Sequence, residues 1–522
     1  MDRRSFLTTG ALAALATQGF FASARRATAQ TGSIFTGVST AGFPDLDPAT
    51  SFSNDNMILA NCYETLTRYV PDLATGEGKV MPLLAESWAV SEDALTWTFT
   101  LREGVTFADG TPLTAASVKA SIERTKKIGG GAAFIWGAVN AIEAPDARTV
   151  VMSLDYPQPM DLTAAAGYAA WIQSEASLTQ DNAWFNSGQS AGTGPYTIVR
   201  FDPGQRCILK RNPTYWGGTE AGDFENVVLE VIEDSVLAQS MIESGTADWI
   251  YGVPYENLET LRANPALQIV SNPSFQTIVG LYNTARAPLD NPKVRQALSM
   301  AFPYDDLVEF GTAGLGTRAK GVIPPGIWGH DADAPVPATD LVAAKALIDA
   351  AGVAGTELTM TYLVGDPLEQ LAGEIWKANL AEIGITLNLQ PMAWEAQWQL
   401  GKSDPKAAQD IFVMYWWPTF VTPYDYFYSM FRSEDAPNFN LGYYKNPAFD
   451  AMIDAANEKS SVDRDAAAQE FIEAQRLLIA DAAAVFMIDL PNIHILKADI
   501  TGYVDNPAYG HVPFIDQMSR KS

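Results

Sequence analysis

A regular alternation of strand-like and helix-like segments between residues 357 and 415 constrains the fold of this chain more than any other feature. Short apolar runs typical of buried strands alternate with segments that carry helix start and stop signals, such as Asp366 followed by Pro367. Strands joined by helices indicate parallel crossovers, so this part of the chain is predicted to form an α/β lobe of its own. The predicted strands are residues 357–364, 385–389 and 411–415, and the predicted helices are residues 366–383 and 394–400.

The chain is too long for one ordinary hydrophobic core. It has 522 residues, and a typical domain size of about 150 residues predicts roughly two to four domains. Hydrophobic residues make up 47% of the sequence, and it contains 13 Trp, 19 Tyr and 24 Phe, which excludes a disordered or fibrous protein. A chain of this size can enclose a ligand between two lobes.

The charge balance excludes several partners. The formal net charge is −27, so nucleic acid and anionic lipid surfaces are poor partners, and solubility explains most of the excess acid. With three His and two Cys, the sequence has little with which to build a metal site. Cys62 and Cys207 could pair in an oxidising compartment, but the sequence leaves that pairing open.

Residues 1–29 have the pattern of a cleaved export signal. The twin-arginine sequence MDRRSFL precedes a mildly apolar stretch over residues 7–22, which polar residues interrupt, so it is too short for a membrane helix. Small-residue cleavage sites precede Arg25 and Gln30, and no Cys follows to take a lipid anchor. The mature protein is therefore predicted to be exported by the twin-arginine route and to be soluble in the periplasm.

The N-terminal half contains clear local patterns. Trp97, Phe99 and Leu101 alternate with Thr residues, as in a strand with one buried face. Thr114 is placed to cap the helix that follows. Further on, residues 195–201 and 206–210 alternate around a turn, which predicts a hairpin.

Five blocks, taken together and in order, carry a resemblance to a known family. They are PLLAESW, TWTFTLREGVTFADGTPLTAASVKASIER, GTGPYTIVRFDPGQRCILKRNPTYWGG, IESGTADW and NPKVRQALSMAF. The chain resembles the extracytoplasmic solute-binding proteins of ABC importers, family 5, the class that includes dipeptide, oligopeptide and nickel binders. The resemblance covers nearly all of the mature chain.

The resemblance implies an α/β, two-lobed periplasmic-binding-protein fold of type II, in the large peptide-binder subclass. Lobe I would comprise residues 30–274 with an inserted subdomain, plus residues 486–522, and lobe II would comprise residues 275–485. The chain would cross between the lobes twice, near residues 274–282 and 485–490. Two such crossings form a hinge.

The most prominent candidate for a ligand wall is the stretch YWWPTFVTPYDYFY at residues 415–428, in which eight of fourteen residues are aromatic. It begins where a predicted strand ends, and ligands of open α/β sheets bind beyond the carboxyl ends of strands. Tyr415, Trp416 and Trp417 are the predicted ligand-binding residues. A buried structural patch is the alternative.

The family layout adds further candidates. Phe275 and Gln276 at the first crossing, and Trp394, would face the cleft, although each could equally serve packing. Peptide binders of this class place an aspartate after a tryptophan in a pattern like W-x-x-D-x-x-x-P, where it pairs with the ligand's ammonium group. This chain has Thr419 at that position, which weakens the free-amine peptide interpretation. Asp425 could substitute, and a sugar-containing, opine-like or blocked-peptide solute is compatible.

Two other functions stay open. Ser190 lies in a G-x-S-x-G match, GQSAG, and His494 or His511 could complete a hydrolase triad. The motif needs a strand before the serine and a helix after it, and the sequence predicts the reverse order. A chaperone-like binder of unfolded peptides is the other alternative.

The preferred interpretation is a non-enzymatic receptor that captures a small organic solute and delivers it to an inner-membrane ABC permease. The sequence contains no phosphate-binding loop, zinc motif or dinucleotide motif. We therefore expect no cofactor and no metal in the protein, and ATP hydrolysis would belong to a partner. The receptor is expected to act as a monomer.

Overall fold

The computed structural model describes residues 34–72, 78–218 and 222–521. The export signal predicted for residues 1–29 lies outside these ranges. None of the helices in the described ranges has the length and apolarity that crossing a bilayer requires.

The strands of the described residues run the length of the chain. In order they are β1 Ile34–Ser39, β2 Thr67–Pro71, β3 Gly78–Pro82, β4 Ala85–Val90, β5 Thr96–Leu101, β6 Val139–Glu143, β7 Thr149–Leu154, β8 Tyr196–Asp202, β9 Arg206–Arg211, β10 Asn226–Val231, β11 Trp249–Tyr251, β12 Leu267–Tyr282, β13 Thr317–Arg318, β14 Glu357–Leu363, β15 Thr386–Met392, β16 Ile411–Trp416, β17 Ala484–Lys497, β18 Ile500–Thr501 and β19 Ser519–Arg520.

The α-helices are concentrated in the C-terminal half. They are α1 Asn56–Cys62, α2 Ala115–Ile128, α3 Met160–Thr163, α4 Asn182–Asn186, α5 Ser235–Glu243, α6 Leu258–Arg262, α7 Pro292–Met300, α8 Tyr304–Asp306, α9 Leu341–Ala351, α10 Pro367–Glu382, α11 Trp394–Gly401, α12 Pro423–Phe431, α13 Pro447–Ser460 and α14 Arg464–Ala480. Short 3₁₀ turns lie at Ala133–Trp136, Glu175–Ser177, Tyr255–Asn257, Pro507–Tyr509 and Ile515–Gln517, and a π-helical turn at Leu307–Gly311.

Eleven strands form one large sheet. Its order is β15-β14-β16-β12-β17-β11-β1-β10-β9-β8, and β13 pairs with β17. At one end, β14 is parallel to both β15 and β16, so the crossovers predicted from the alternating pattern are confirmed. At the other end, β1 is parallel to β10 and β11. A separate four-stranded sheet has the order β4-β5-β7-β6.

Strands β12 and β17 connect the two ends of the large sheet. They pair antiparallel from Leu267 opposite Lys497 to Pro273 opposite Pro491, and again from Thr277 opposite Asp489 onward. Between these stretches, residues 274–276 of β12 lie opposite a single residue of β17, so the pair contains a β-bulge. In the first stretch, β17 also pairs with β11. In the second stretch, β12 also pairs with β16.

Local signals in the sequence predicted several elements correctly. Trp97, Phe99 and Leu101 are buried on one face of β5. Thr114 caps α2 in a capping box with Ser117, in which the side-chain oxygen of each residue accepts the backbone N–H of the other. The hairpin predicted around residue 203 is the antiparallel pair β8 and β9.

The run NMILANCYETL at residues 56–66 predicts a helix, and the helix observed there is shorter. Helix α1 ends at Cys62 because Tyr63 adopts an extended backbone and Glu64 forms a β-bridge with Ile172. The buried Glu64 carboxylate accepts hydrogen bonds from three side chains, which holds this segment away from the helix. Cys62 and Cys207 are both buried and both free thiols.

Buried side chains divide into three clusters. One cluster covers the β14–β16 end of the large sheet and includes Tyr282 and Trp376. The largest cluster joins the buried side chains of the N-terminal region to Phe427 of α12 and Phe471 of α14. Helices α12 to α14 therefore pack together with the N-terminal region in this structure.

Candidate ligand-binding cavity

A cavity of about 1080 Å³ lies where the carboxyl ends of the parallel strands from both ends of the large sheet meet. The segments that follow β1, β10 and β11 contribute to one side, and those that follow β14 and β16 contribute to the other. This volume suits a small organic ligand, and the position is the one that open α/β sheets use for binding.

Two walls and a floor enclose this cavity. The first wall consists of lining residues from 40–57, 168, 233–256 and 509–512, and the second wall consists of lining residues from 310–311, 363–371 and 415–417. The floor is formed by Gln276, Leu490, Pro491 and Ile493, at and beside the bulge between β12 and β17. Both walls are rich in aromatic rings: Tyr168, Tyr251, Tyr255, Tyr415, Trp417 and Tyr509.

Asp366 and Tyr415 form a polar pair on the second wall. The Tyr415 hydroxyl donates to Asp366 Oδ2 at 2.9 Å. Asp366 also caps helix α10, because its Oδ1 accepts the backbone N–H groups of Leu368 and Glu369. Burial raises the pKa of Asp366. Burial, followed by the charge of Asp366, raises the pKa of Glu369 to about 8.

Trp417 connects the second wall to the first. Its indole N–H donates to the hydroxyl of Tyr168 at 3.2 Å. Tyr168 also packs edge-on against Phe52, at a ring distance of 5.1 Å. Phe52 in turn contacts Phe439, which follows α12 in the chain, at 5.7 Å. The walls are therefore in direct contact around the cavity.

The first wall contains a stacked histidine. The rings of His511 and Tyr251 stack at 4.2 Å with an interplanar angle of 14°. Burial, together with the neighbouring His494, lowers the pKa of His511 to about 3, so its imidazole is neutral at physiological pH. On the floor of the cavity, the side-chain nitrogen Nε2 of Gln276 lies 3.4 Å from the ring nitrogen Nε2 of His511.

Three of the seven predicted site residues line the cavity. They are Tyr415, Trp417 and Gln276. Tyr415 and Trp417 share one side of the chain at the end of β16, as the period-two geometry of a strand requires. Contact between these residues and a ligand stays a prediction.

The other four predicted residues do not line this cavity. Phe275, Trp416 and Thr419 are 3%, 6% and 1% exposed and lie in the protein interior. Trp416 packs against Phe439 at 5.3 Å. Trp394 is 45% exposed and lies against Trp398 on α11.

The segment that carries Thr419 is held by a hydrogen bond to the first turn of α12, a few residues further along the chain. The Thr419 backbone N–H donates to Asp425 Oδ2 at 3.1 Å. Asp425 lies in the first turn of α12 and is 1% exposed. Burial raises the pKa of Asp425 to about 7, against the backbone hydrogen bond from Thr419, which favours the charged form. Neither Thr419 nor Asp425 lines the cavity, so neither is placed there to receive a ligand's ammonium group.

Sequence reasoning missed several cavity residues, above all Asp366, Tyr251, Tyr255 and His511. The sequence predicts Asp366 only as a helix cap. The signal that could have found it is the rule already applied to β16, because Asp366 also follows a parallel strand, β14. Tyr251 ends β11 and could have been found in the same way. No local sequence pattern marks His511 as a cavity residue.

The surroundings of Ser190 do not form a nucleophile elbow. Helix α4 precedes it and strand β8 follows it, the reverse of the required order. Its hydroxyl accepts the backbone N–H of Ile198 at 3.2 Å. The segment is a structural turn.

The fold and the position of the cavity resemble those of α/β receptors, which bind a solute at the carboxyl ends of parallel strands. Residues 79–438 match the family model described as "Bacterial extracellular solute-binding proteins, family 5 Middle". The chain belongs to this family. It is the solute-binding component of an ABC importer and a transport receptor, not an enzyme.

Individual proteins show the same relationship over most of the chain. A probable D,D-dipeptide-binding periplasmic protein of Escherichia coli K12, DdpA, is 31% identical over 483 residues, which cover 91% of this chain and 92% of the relative. The glutathione-binding protein GsiB of Pectobacterium atrosepticum is 26% identical over 520 residues, which cover 97% of this chain and 96% of the relative. The structure of DppA from Helicobacter pylori, in complex with the peptide STSA, superimposes with a TM-score of 0.82 at 22% identity, covering 94% and 98%.

Proposed function

We propose that the protein captures a small organic solute by closing two lobes around it. Lobe I comprises residues 30–274 and 486–522, and lobe II comprises residues 275–485. The observation that carries the proposal is the position of the cavity, whose walls come from the two proposed lobes and whose floor is made by the two strands that join them. Closure excludes water from the polar groups inside and strengthens their contacts with the solute.

The bulge between β12 and β17 is the proposed hinge. Ser274 donates from its hydroxyl to the Leu490 carbonyl at 2.5 Å, and Tyr426 donates to the Phe275 carbonyl at 2.6 Å. These bonds connect the bulge to both β17 and α12. A few residues at such a point can absorb the backbone rotation of a rigid-body closure.

Contacts between the proposed lobes favour the closed form. Arg464 of lobe II pairs with Asp161 of lobe I, with both carboxylate oxygens at 2.6 Å. Trp417 donates to Tyr168 across the same boundary. Because both partners of each contact separate on opening, these groups would be solvated again in the open form.

The solute is proposed to be a peptide or a similarly sized polar organic molecule. The curated relatives are named for a D,D-dipeptide and for glutathione, and the DppA structure holds a tetrapeptide. A cavity lined by aromatic rings with a few hydroxyls, amides and carboxylates suits a molecule of this kind. The closed complex would deliver it to an inner-membrane permease driven by a separate ATPase.

Two measurements test this function. Native mass spectrometry of protein purified without denaturation is expected to show one bound small molecule per chain. Small-angle X-ray scattering is expected to show a smaller radius of gyration when that molecule is restored to stripped protein. Protein that carries no solute, and that does not close with L-alanyl-L-lysine amide, D-alanyl-D-alanine, glutathione or the peptide STSA, would contradict the proposal.

The proposed location is the periplasm, reached by the twin-arginine route. Replacing both Arg3 and Arg4 with Lys is expected to leave the precursor in the cytoplasm, which cell fractionation would detect. Unchanged export of this variant would contradict the proposed route without affecting the solute-binding function.

A further inference from the structure

The charged side chains around the cavity are all acidic. Glu233, Glu256 and Asp366 line it, and none of the lining residues in the described part of the chain is Lys or Arg. Glu233 and Glu256 are exposed, and neither forms an ion pair with any described residue. Carboxylates at the opening of a cleft concentrate positive charge from solution.

The second wall contains a helix N-terminus, which could in principle attract an anion. Asp366 already occupies the N-terminus of α10, with Oδ1 accepting from Leu368 at 3.0 Å and from Glu369 at 2.8 Å. A helix N-terminus carries a partial charge of about half a unit, which the full charge of the carboxylate exceeds. This end of the wall is therefore negative, and Oδ2 points to Tyr415.

His511 does not supply a positive charge either. It is stacked on Tyr251 in a buried position beside His494, and these surroundings keep the imidazole neutral. A neutral imidazole can donate or accept one hydrogen bond at each nitrogen but cannot pair with a carboxylate as an ion.

The pair Asp366 and Tyr415 faces the first wall across the cavity. Burial, and after it the charge of Asp366, raises the pKa of Tyr255 to about 12. Tyr255 belongs to the first wall, and Asp366 and Tyr415 belong to the second, so all three line the space that the solute would occupy. The faces of the surrounding aromatic rings also favour cations.

We infer that the solute is a cation, with an ammonium or guanidinium group bound by Asp366 and Tyr415 and its apolar part against the aromatic rings. This inference rests on the proposed function and adds the charge class of the solute. A zwitterionic or anionic solute would bury a carboxylate with no positive side chain to pair with it, which is costly in an enclosed site. The amine anchor would then be Asp366, at the end of β14, and not the segment that contains Thr419.

Isothermal titration calorimetry with a charge series tests the inference. The probes are L-alanyl-L-lysine amide, its isostere L-alanyl-L-norleucine amide, N-acetyl-L-alanyl-L-norleucine amide, and L-alanyl-L-glutamate. We expect affinity to fall in this order, by at least tenfold between the first probe and the acetylated probe. Equal affinity across the series, or preference for the glutamate probe, would overturn the inference.

Asp366→Asn isolates the role of the charge, because Asn caps a helix as well as Asp does. We expect this variant to lose at least tenfold in affinity for the lysine amide and to keep its affinity for the acetylated probe. The matched control is Asp340→Asn, the N-cap of α9, which lies outside the cavity. Unchanged lysine-amide binding by Asp366→Asn would overturn the inference.

The co-purifying solute provides a measurement that does not depend on the probes. Its mass and elemental composition are expected to show a basic nitrogen and a net positive charge. A bound anion or neutral molecule would overturn the inference and leave the receptor function standing. The absence of any bound solute, together with no closure on any probe, would overturn both.

Discussion

The aromatic stretch at residues 415–428 has two sides with different environments. On one side, Tyr415 and Trp417 line the cavity, and their polar atoms bind partners on other elements, Asp366 and Tyr168. On the other side, Trp416 and the segment around Thr419 are almost fully buried. Residues adjacent in sequence and similar in composition therefore line a cavity on one side and a hydrophobic core on the other.

This difference shows that aromatic content alone does not identify a binding residue. Successive side chains of a strand point to opposite faces, so a one-residue shift moves a tryptophan from the cavity to the core. The two aspartates differ in the same way, since Asp366 is half-buried and lines the cavity, whereas Asp425 is fully buried in the interior. Three experiments test whether the two sides differ in this way.

The largest expected effect is on stability, from Trp416→Ala. We expect this variant to lose about 3–5 kcal/mol of unfolding free energy, the usual cost of deleting a buried Trp side chain. Trp417→Ala is the matched control, because it removes the same side chain from the cavity side. It should lose less stability and instead weaken binding of the tightest probe of the charge series by about 1–2 kcal/mol. Urea unfolding and calorimetry measure the two quantities, and equal stability losses would refute the two-sided interpretation.

The next effect is on the pH dependence of stability, through Asp425. Its pKa is raised from 3.8 to about 7 by burial, so the folded state holds a proton that the unfolded state releases. This contribution to stability is fully present below the unfolded pKa and is lost as pH rises toward 8. Asp425→Asn should therefore flatten the decline in unfolding free energy between about pH 5.5 and 7.5, by roughly 1–2 kcal/mol.

Part of the pH dependence of the unfolding free energy is expected to remain in Asp425→Asn, because burial also raises the pKa of Asp489 to about 7. The matched control is Asp349→Asn, an exposed carboxylate on α9. Denaturant unfolding at several pH values measures the slopes. Identical slopes for the wild type and for Asp425→Asn would show that the buried carboxyl does not titrate in this range.

The smallest effect concerns the hydrogen bond that joins Trp417 to the opposite wall. Tyr168→Phe removes the hydroxyl that accepts the Trp417 N–H, and we expect a loss of about 0.5–1.5 kcal/mol in probe binding. Tyr156→Phe, a partly exposed tyrosine outside the cavity, is the control. Full affinity in Tyr168→Phe would show that Trp417 acts through its ring alone.

Much of the fold could be predicted because its signals are local. The strands and helices between residues 357 and 416, the cap at Asp366 and the hairpin of β8 and β9 all follow from patterns shorter than twenty residues. The end of α1 could not be predicted, because Tyr63 and Glu64 leave the helix to satisfy partners near residues 172, 193 and 215. Such partners are invisible in a local window.

The site was predictable only in part, for the same reason. Local patterns were enough to predict the family resemblance, the parallel crossovers and the end of β16, which lies one residue beyond the predicted Tyr415. The side of β16 that faces the cavity, and the presence of Asp366, Tyr255 and His511 in one cavity, depend on how distant segments pack. Their separation along the chain means that long-range pairing of β12 with β17, which no local pattern encodes, brings them together.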